Sequence, residues 1–279
     1  MCGRFTLTVS GLEIASKFNL EEVPEISPRY NIAPTQAIAS IVVGERSGKR
    51  QLEWMRWGLI PSWAKEAKMG AKLINARAET VAEKPAFRTA FKRRRCLIIA
   101  DGFYEWQQQG KQKQPYYFQV RSNHFSDSEV RSNHFSDSEV RSNHFSDSEV
   151  RSNHFSDSEV RSNHFSDSEV RSNHFSDSGA LFAFAGLWDT WQSGEGEKIV
   201  SCTILTTAAN ERVSHIHQRM PVIMSPAAYS QWLDPENKNP QKILPLLEQN
   251  ANLDIVAYPV SSAVNNARCD RAECIQAIA

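Results

Sequence analysis

The first residues of the chain, Met1-Cys2-Gly3, carry its most distinctive chemistry. A small second residue favours removal of Met1 by an aminopeptidase, and Cys2 would then hold a thiol and an α-amine on adjacent carbons. Their reference pKa values are about 8.5 and about 7.7 to 8.0. An aldehyde can condense with the amine to an imine, after which the thiol closes a five-membered thiazolidine ring. Cys2 is therefore a candidate aldehyde-reactive nucleophile; the alternative is a small residue at a frayed chain terminus.

A carboxylate that could move protons lies in an aromatic segment, Phe103-Tyr104-Glu105-Trp106. Burial among aromatic side chains raises the pKa of a carboxylate, as a general acid or base near neutral pH requires. The alternative is a surface glutamate on an edge strand. Glu105 is therefore a candidate acid or base.

Two histidines, His215 and His217, alternate in a segment that can be extended, so both would point to one side of a strand. A metal pair is one interpretation. No carboxylate or cysteine stands beside them at zinc-ligand spacing, so the sequence favours one catalytic histidine, with no metal and no cofactor.

Two other segments are candidates for binding. Asn75, Arg77 and Glu79 alternate and would line one side of an extended chain, which predicts a polar edge or a site. The basic run at 87–95 predicts an amphipathic helix that is either a solvated surface or a phosphate contact.

A decapeptide repeat occupies 58 of the 279 residues, from Arg121 to Ser178. Each copy has two apolar residues, so we expect a disordered insertion. It separates two predicted strands, 115–120 and 180–187, which predicts that it lengthens a hairpin loop. The remaining 221 residues suit a single domain over 1–279, interrupted at 121–178. An alternative is that the repeat binds a partner or, through its histidines, a metal.

Composition narrows the class of protein. The repeat carries six arginines against eleven acidic residues, so the rest of a chain of zero net charge has an excess of five basic residues. Five scattered cysteines do not suggest a disulfide framework. There is no apolar run of about 20 residues and no signal-peptide core. We expect a soluble, cytoplasmic monomer, associated with the nucleoid if the source is bacterial.

Six motifs in order along the chain resemble the SOS response-associated peptidase family, the abasic-site processing proteins. They are Cys2-Gly3-Arg4-Phe5, Arg29-Tyr30-Asn31-Ile32-Ala33-Pro34, Trp57-Gly58, Ile74-Asn75-Ala76-Arg77-Ala78-Glu79-Thr80, Asp101-Gly102-Phe103-Tyr104-Glu105-Trp106 and Ile216-His217-Gln218-Arg219-Met220-Pro221. The resemblance implies an α+β fold, with a curved, mostly antiparallel sheet forming a pseudo-barrel and a few peripheral helices.

The resemblance also implies a function. Such a protein removes its own Met1, binds single-stranded DNA at an abasic site, and links Cys2 to the ring-opened sugar as a reversible thiazolidine that shields the lesion from strand cleavage. Asn75 would hold the N-terminal region and bind a substrate oxygen. Glu105 would move protons in imine formation and in methionine removal. His217 would act as acid or base in ring opening and in reversal.

The DNA-binding set implied by the same resemblance joins cations to aromatic and polar residues. The cations would bind phosphates and the tryptophans would stack on or wedge between unpaired bases. The set comprises Arg4, Asn31, Pro34, Trp63, Arg77, Trp106, Thr206 and Arg219.

Two other classes of function use the same residues. An N-terminal-nucleophile amidohydrolase or thiol protease would hydrolyse amides and leave no DNA adduct. A noncatalytic single-strand binding module would bind DNA equally well after Cys2→Ala.

Overall fold

The computed structural model describes residues 2–121, 179–248 and 253–278. Within these ranges, runs rich in β-branched and aromatic residues form strands, as predicted at 38–43, 52–59, 96–100 and 199–205. The strands are β1 (Arg4–Leu7), β2 (Arg29–Ile32), β3 (Ala37–Val43), β4 (Arg50–Trp57), β5 (Asn75–Arg77), β6 (Arg95–Ala100), β7 (Gly102–Gln109), β8 (Gln112–Val120), β9 (Phe182–Gln192), β10 (Lys198–Ala208), β11 (Arg219–Pro221) and β12 (Ile255–Pro259).

Five strands close into a barrel in the order β10, β4, β3, β6 and β9, with β9 returning to β10. Strand β10 runs parallel to β4 and β5, and the other pairings around the ring are antiparallel. The barrel confirms the predicted α+β pseudo-barrel. The parallel pairing of β5 with β10 places Asn75 beside Ile204 and Arg77 beside Thr206.

The second sheet is antiparallel, in the order β12, β8, β7, β1 and β2. Strand β1 is therefore paired on both sides, which fixes the backbone immediately after Cys2. Aromatic rings join this sheet to the barrel. Phe5 and Phe103 contact Phe184 of β9 edge to face, with ring centroids 5.8 and 6.1 Å apart.

The helices are short: α1 (Gly11–Phe18), α2 (Arg88–Arg93), α3 (Glu211–Ser214), α4 (Tyr229–Leu233) and α5 (Pro240–Ile243). Helix α1 buries Ile14, Ala15 and Phe18, and the Ser10 side chain accepts a hydrogen bond from the Glu13 N–H at its start. Helix α2 confirms the helix predicted at 87–95.

A buried arginine connects the barrel to two helices. Arg95, at the start of β6, is 4% exposed and donates hydrogen bonds to the carbonyl oxygens of Phe91, Trp232, Asp234 and Asn237. Burial lowers the pKa of its guanidinium to about 10. Arg95, the last basic residue of the run predicted as a helix, is therefore a buried structural residue.

The predicted hairpin between 115–120 and 180–187 is wrong. Strand β8 pairs with β7 and β12 in the second sheet, whereas β9 pairs with β6 and β10 in the barrel. The two meet where a hydrogen bond joins the Ala180 N–H to the Val120 carbonyl, at 2.8 Å. The sequence shows that these segments are strands, but the core decides which sheet each one joins. The disorder predicted for the repeat concerns residues outside the described ranges.

None of the helices in the described ranges combines the length and the apolar composition needed to cross a membrane.

Candidate active site at Cys2

Cys2 lies two residues before β1 and is fully buried. Because Arg4 stands opposite Tyr104 in the antiparallel register, the residues before Arg4 run alongside Glu105. The Cys2 thiol donates to the Arg4 carbonyl at 3.7 Å. Burial, and then the charge of Glu105, raise the pKa of this thiol. The sulfur is therefore a protonated thiol at neutral pH rather than a thiolate.

Asn75 holds Cys2 from the barrel side. Asn75 lies opposite Ile204 in the parallel pairing of β5 with β10, which fixes the position of Asn75. Its Nδ2 donates a hydrogen bond to the Cys2 carbonyl at 2.8 Å. Since a carbonyl only accepts, this bond also fixes which end of the amide is Oδ1. Within the described part of the chain, Asn75 Oδ1 is buried without a hydrogen-bond partner. It is an acceptor placed beside the nucleophile.

Glu105 is the buried carboxylate of the site, with 2% of its surface exposed. Desolvation raises the pKa of this carboxyl, and the charge of His217 opposes that shift. The carboxylate on β7 lies 4.0 Å from the imidazole, measured from Oε2 to Nε2 of His217. A carboxyl in this position can hold or release a proton closer to neutral pH than an ordinary glutamate.

The imidazole of His217 is held through Nδ1, which lies 3.0 Å from the Arg219 backbone N–H and 3.1 Å from the Arg219 carbonyl oxygen. The other ring nitrogen, Nε2, faces Glu105. The predicted same-side pair of histidines is wrong, because helix α3 and a turn replace the expected strand. His215 is exposed, and no cluster with metal-binding composition occurs among the described residues.

An open cleft of about 510 Å³ lies next to these groups, lined by Glu105, Trp106, Lys113, His217 and Asn265. The Trp106 indole donates from Nε1 to Asn265 Oδ1 at 2.7 Å, which holds the ring at the wall. The cleft combines a carboxyl, an imidazole, an aromatic surface and a cation. It is suited to a polar ligand with an anionic part.

Arg4 and Asn31 form a brace between the N-terminal strand and the C-terminal segment. Arg4 Nη1 donates to Asn31 Oδ1 at 3.2 Å and to the Val264 carbonyl at 2.6 Å. Asn31 is fully buried, and its Nδ2 contacts the carbonyl oxygens of Val264, Asn266 and Cys269. Burial lowers the pKa of Arg4. Asn31 acts here as a support, and the DNA-binding role of both residues stays a prediction.

Arg219 is held by a carboxylate and by β10. Its Nη1 and Nη2 donate to the two carboxylate oxygens of Glu79 at 2.7 and 3.1 Å, and Nη2 also donates to the Thr206 carbonyl at 2.6 Å. The hydrogen bond from Arg219 lowers the pKa of Glu79. Thr206 is buried beneath this pair, whereas Arg77 is exposed to solvent.

A family model described as SOS response associated peptidase (SRAP) matches residues 1–267. The chain belongs to the SRAP family. Relatives of this SRAP chain include the abasic site processing proteins YoqW and YoaM of Bacillus subtilis (strain 168). Each is 35% identical, over 280 and 281 residues, covering 99% of this chain and 99% or 98% of the relative.

A vertebrate relative and a solved structure extend the comparison. The abasic site processing protein HMCES of Gallus gallus is 32% identical over 263 residues, which cover 89% of this chain and 66% of that protein. A crystal structure of a protein from Bacteroides thetaiotaomicron superimposes with a TM-score of 0.69 at 19% identity and covers 100% of both chains. That likeness shows the shared fold.

Of the eight candidate DNA-binding residues of the SRAP chain, Trp106 is among the residues that line the cleft, whereas Trp63 and Pro34 are not. Trp63 is 58% exposed, in the loop that follows Ile60. Pro34 is partly exposed in a turn, where Thr35 adopts a positive φ of 73°. Their contribution to DNA binding stays a prediction.

Lys113 and Asn265 line the cleft although no motif of the SRAP chain marks them. Lys113 stands opposite Gln108 in the β7–β8 register, and Asn265 ends the short 3₁₀ helix Ser262–Asn265. A prediction that β7 and β8 form a hairpin would have placed Lys113 beside β7. The position of Asn265 depends on contacts across almost the whole chain, so the sequence carries no local signal for it.

Proposed function

We propose that this SRAP chain acts on abasic sites in single-stranded DNA and joins them covalently to Cys2. Relatives named abasic site processing proteins support the choice of substrate. The observation that carries the proposal is the hydrogen bond from Asn75 to the Cys2 carbonyl, which holds the residue with the nucleophile beside the buried Glu105.

The first step is hydrolysis of the Met1–Cys2 peptide bond. Water adds to the Met1 carbonyl carbon, the C–N bond breaks, and the leaving nitrogen gains a proton to become the Cys2 α-amine. Glu105 is the general base for the water and returns the proton to the amine. Its burial suits this role, because the raised pKa makes the carboxyl a stronger base than an exposed glutamate.

The second step joins Cys2 to the aldehyde carbon of the ring-opened sugar. The amine forms the N–C bond, the carbinolamine loses water to give an imine, and the sulfur adds to the imine carbon while its proton passes to nitrogen. One water is lost overall. Because burial keeps the Cys2 thiol protonated, the amine attacks first and the thiol closes the ring.

The neighbouring groups divide the proton transfers. In its imidazolium form, His217 donates a proton from Nε2 to the ring oxygen when the sugar opens, while the C1 hydroxyl gives its proton to Glu105 and becomes the aldehyde. Glu105 then passes that proton to the hydroxyl that leaves the carbinolamine. Asn75 Oδ1 accepts a hydrogen bond from a sugar hydroxyl. Run backwards, the same transfers release the DNA. While the ring is closed, no free aldehyde remains to promote strand cleavage.

The DNA strand follows cations in the wall of the cleft and beside it. Arg77 and Lys113 are exposed and suited to bind phosphates directly, while Arg219 must exchange Glu79 for a phosphate. Arg4, Asn31 and Thr206 support that surface from within. Trp106, Trp63 and Pro34 provide apolar surface for unpaired bases.

A denaturing gel tests this function. The protein is incubated with a single-stranded oligonucleotide that carries one abasic site, beside an intact oligonucleotide and the Cys2→Ala variant. We expect a slow-migrating adduct only with unaltered protein and abasic DNA. Its mass should equal the sum of protein without Met1 and oligonucleotide, less one water.

Absence of this adduct, from protein whose mass shows that Met1 is gone, would contradict the proposal and favour an amidohydrolase. Cell-free synthesis without methionine aminopeptidase activity tests self-processing separately. Loss of Met1 in the unaltered chain and its retention in Glu105→Gln is the expected result.

A further inference from the structure

Two cysteines outside the site lie in contact near the C-terminal end of the described chain. Cys274 Sγ lies 3.6 Å from Cys269 Sγ and 3.2 Å from the Cys269 carbonyl oxygen, which are two alternative acceptors for its single S–H. Cys274 is buried, and Cys269 is partly exposed. The function proposed above uses neither of them.

The loop between these cysteines supports β2. Asp270 accepts hydrogen bonds from the backbone N–H groups of Tyr30 and Asn31 and forms an ion pair with Arg29. The Cys269 carbonyl accepts a further bond from Asn31 Nδ2 at 2.7 Å. A covalent bond between the sulfurs would close a small ring around Asp270.

We propose that Cys269 and Cys274 are an oxidisable thiol pair that a peroxide converts to an intramolecular disulfide. The Cys269 sulfur attacks the peroxide O–O bond, becomes a sulfenic acid and releases one water when the peroxide is hydrogen peroxide. The Cys274 sulfur then displaces the sulfenic hydroxyl, which leaves as a second water. Two thiols lose two electrons and two protons, and the peroxide is reduced.

Exposure assigns the order of these steps. Cys269 is partly exposed and Cys274 is buried, so a peroxide reaches Cys269 first. Burial raises the pKa of Cys274, which keeps it protonated as the second reactant. A disulfide has an S–S length of about 2.05 Å. The sulfurs must therefore approach by about 1.5 Å, a movement on the scale of a side-chain rotation.

Cys96 and Cys202 form a matched internal control. Both are fully buried in the described structure. Cys96 and Cys202 are also near enough that the charge of Cys202 contributes to the raised pKa of Cys96. They share proximity with the proposed pair but lack its exposure, so a peroxide should leave them as thiols.

Peptide mapping tests the proposal directly. Trypsin cleaves after Arg268 and Arg271, which places Cys269 and Cys274 in separate peptides, 269–271 and 272–279. The folded protein is treated with hydrogen peroxide, its free thiols are alkylated at acidic pH, and it is then digested. We expect these two peptides joined, two hydrogen atoms lighter than their sum, and separated again by dithiothreitol.

Three results would overturn the proposal. The first is a sulfinic acid on Cys269 without joined peptides, and the second is joining of Cys269 to Cys269 of another molecule. The third is joining only after the protein is unfolded in urea. Cys269→Ser and Cys274→Ser should each abolish the joined pair, and in Cys274→Ser a sulfenic-acid trap such as dimedone should label Cys269.

Discussion

Asn75→Ala separates the positioning of Cys2 from the stability of the fold. The substitution removes the hydrogen bond of 2.8 Å to the Cys2 carbonyl and leaves that carbonyl without its partner. An unsatisfied buried polar group costs about 1–3 kcal/mol. Crosslinking slows only by the free energy that the transition state loses beyond this loss in the resting protein. A further loss of the same range, caused by a displaced Cys2, would lower the crosslinking rate roughly 5- to 150-fold.

The assay is a single-turnover time course with protein in excess over abasic oligonucleotide, followed on a denaturing gel. Urea unfolding of the same preparation measures the loss of stability. Thr203→Val is the matched control, because Thr203 is buried on β10, the strand that pairs with β5, and its Oγ1 has no hydrogen-bond partner within the described part of the chain. This control should crosslink at the unaltered rate.

A crosslinking rate equal to that of the unaltered protein, together with the expected fall in stability, would refute the positioning role of Asn75. It would leave Asn75 as a structural residue. Unchanged rate and unchanged stability would mean that the hydrogen bond to Cys2 is not formed in solution. Intact mass must first show that Met1 is absent from the variant, so that slow methionine removal is not counted as slow crosslinking.

Three other changes have defined outcomes. Burial raises the pKa of Glu105, so the folded state binds this proton more tightly than the unfolded state, and the stability of the protein falls as pH rises through the folded pKa. Thermal unfolding between pH 4 and 7 should therefore show that Glu105→Gln gains stability relative to the unaltered protein. The crosslinking rate of this variant should fall at least about 100-fold. Arg95→Met leaves four carbonyl oxygens without the guanidinium. Chemical denaturation should show that the free energy of unfolding falls by at least about 3 kcal/mol. The control Arg93→Met, on the exposed face of α2, should change it by less than about 0.5 kcal/mol. Replacing residues 122–178 by a short turn between Arg121 and Gly179 should leave the crosslinking rate unchanged, and a large loss of crosslinking would give the repeat an active role.

The sequence predicts the elements of this fold better than their partners. Alternating and continuous apolar runs identify β3, β6 and β10 because side-chain burial repeats along each strand. The sheet that each strand joins depends on the long-range core around Phe184. The incorrect pairing of 115–120 with 180–187 arose because neighbouring strands often form hairpins, whereas here the insertion connects two different sheets.

In the candidate site, likewise, the sequence predicts the residue types better than the contacts that these residues make. The chemistry of Cys2, Glu105 and His217 is visible in their residue types and neighbours. The sequence cannot show that Arg219 is held by Glu79 or that Asn31 is saturated by carbonyl oxygens of the C-terminal segment. Those contacts decide whether a predicted DNA-binding side chain is available to DNA or occupied within the protein.

The brace from Arg4 to the Val264 carbonyl connects positions 260 residues apart, and this separation has a consequence during synthesis. Ribosomes add about 5–20 residues per second, so the N-terminal strand must wait more than about 10 s for its last partner to be made. The segment with Cys2 is translated first, but its surroundings are complete only when the end of the domain leaves the ribosome. The chemistry proposed for Cys2 therefore has to wait until the whole domain has been made.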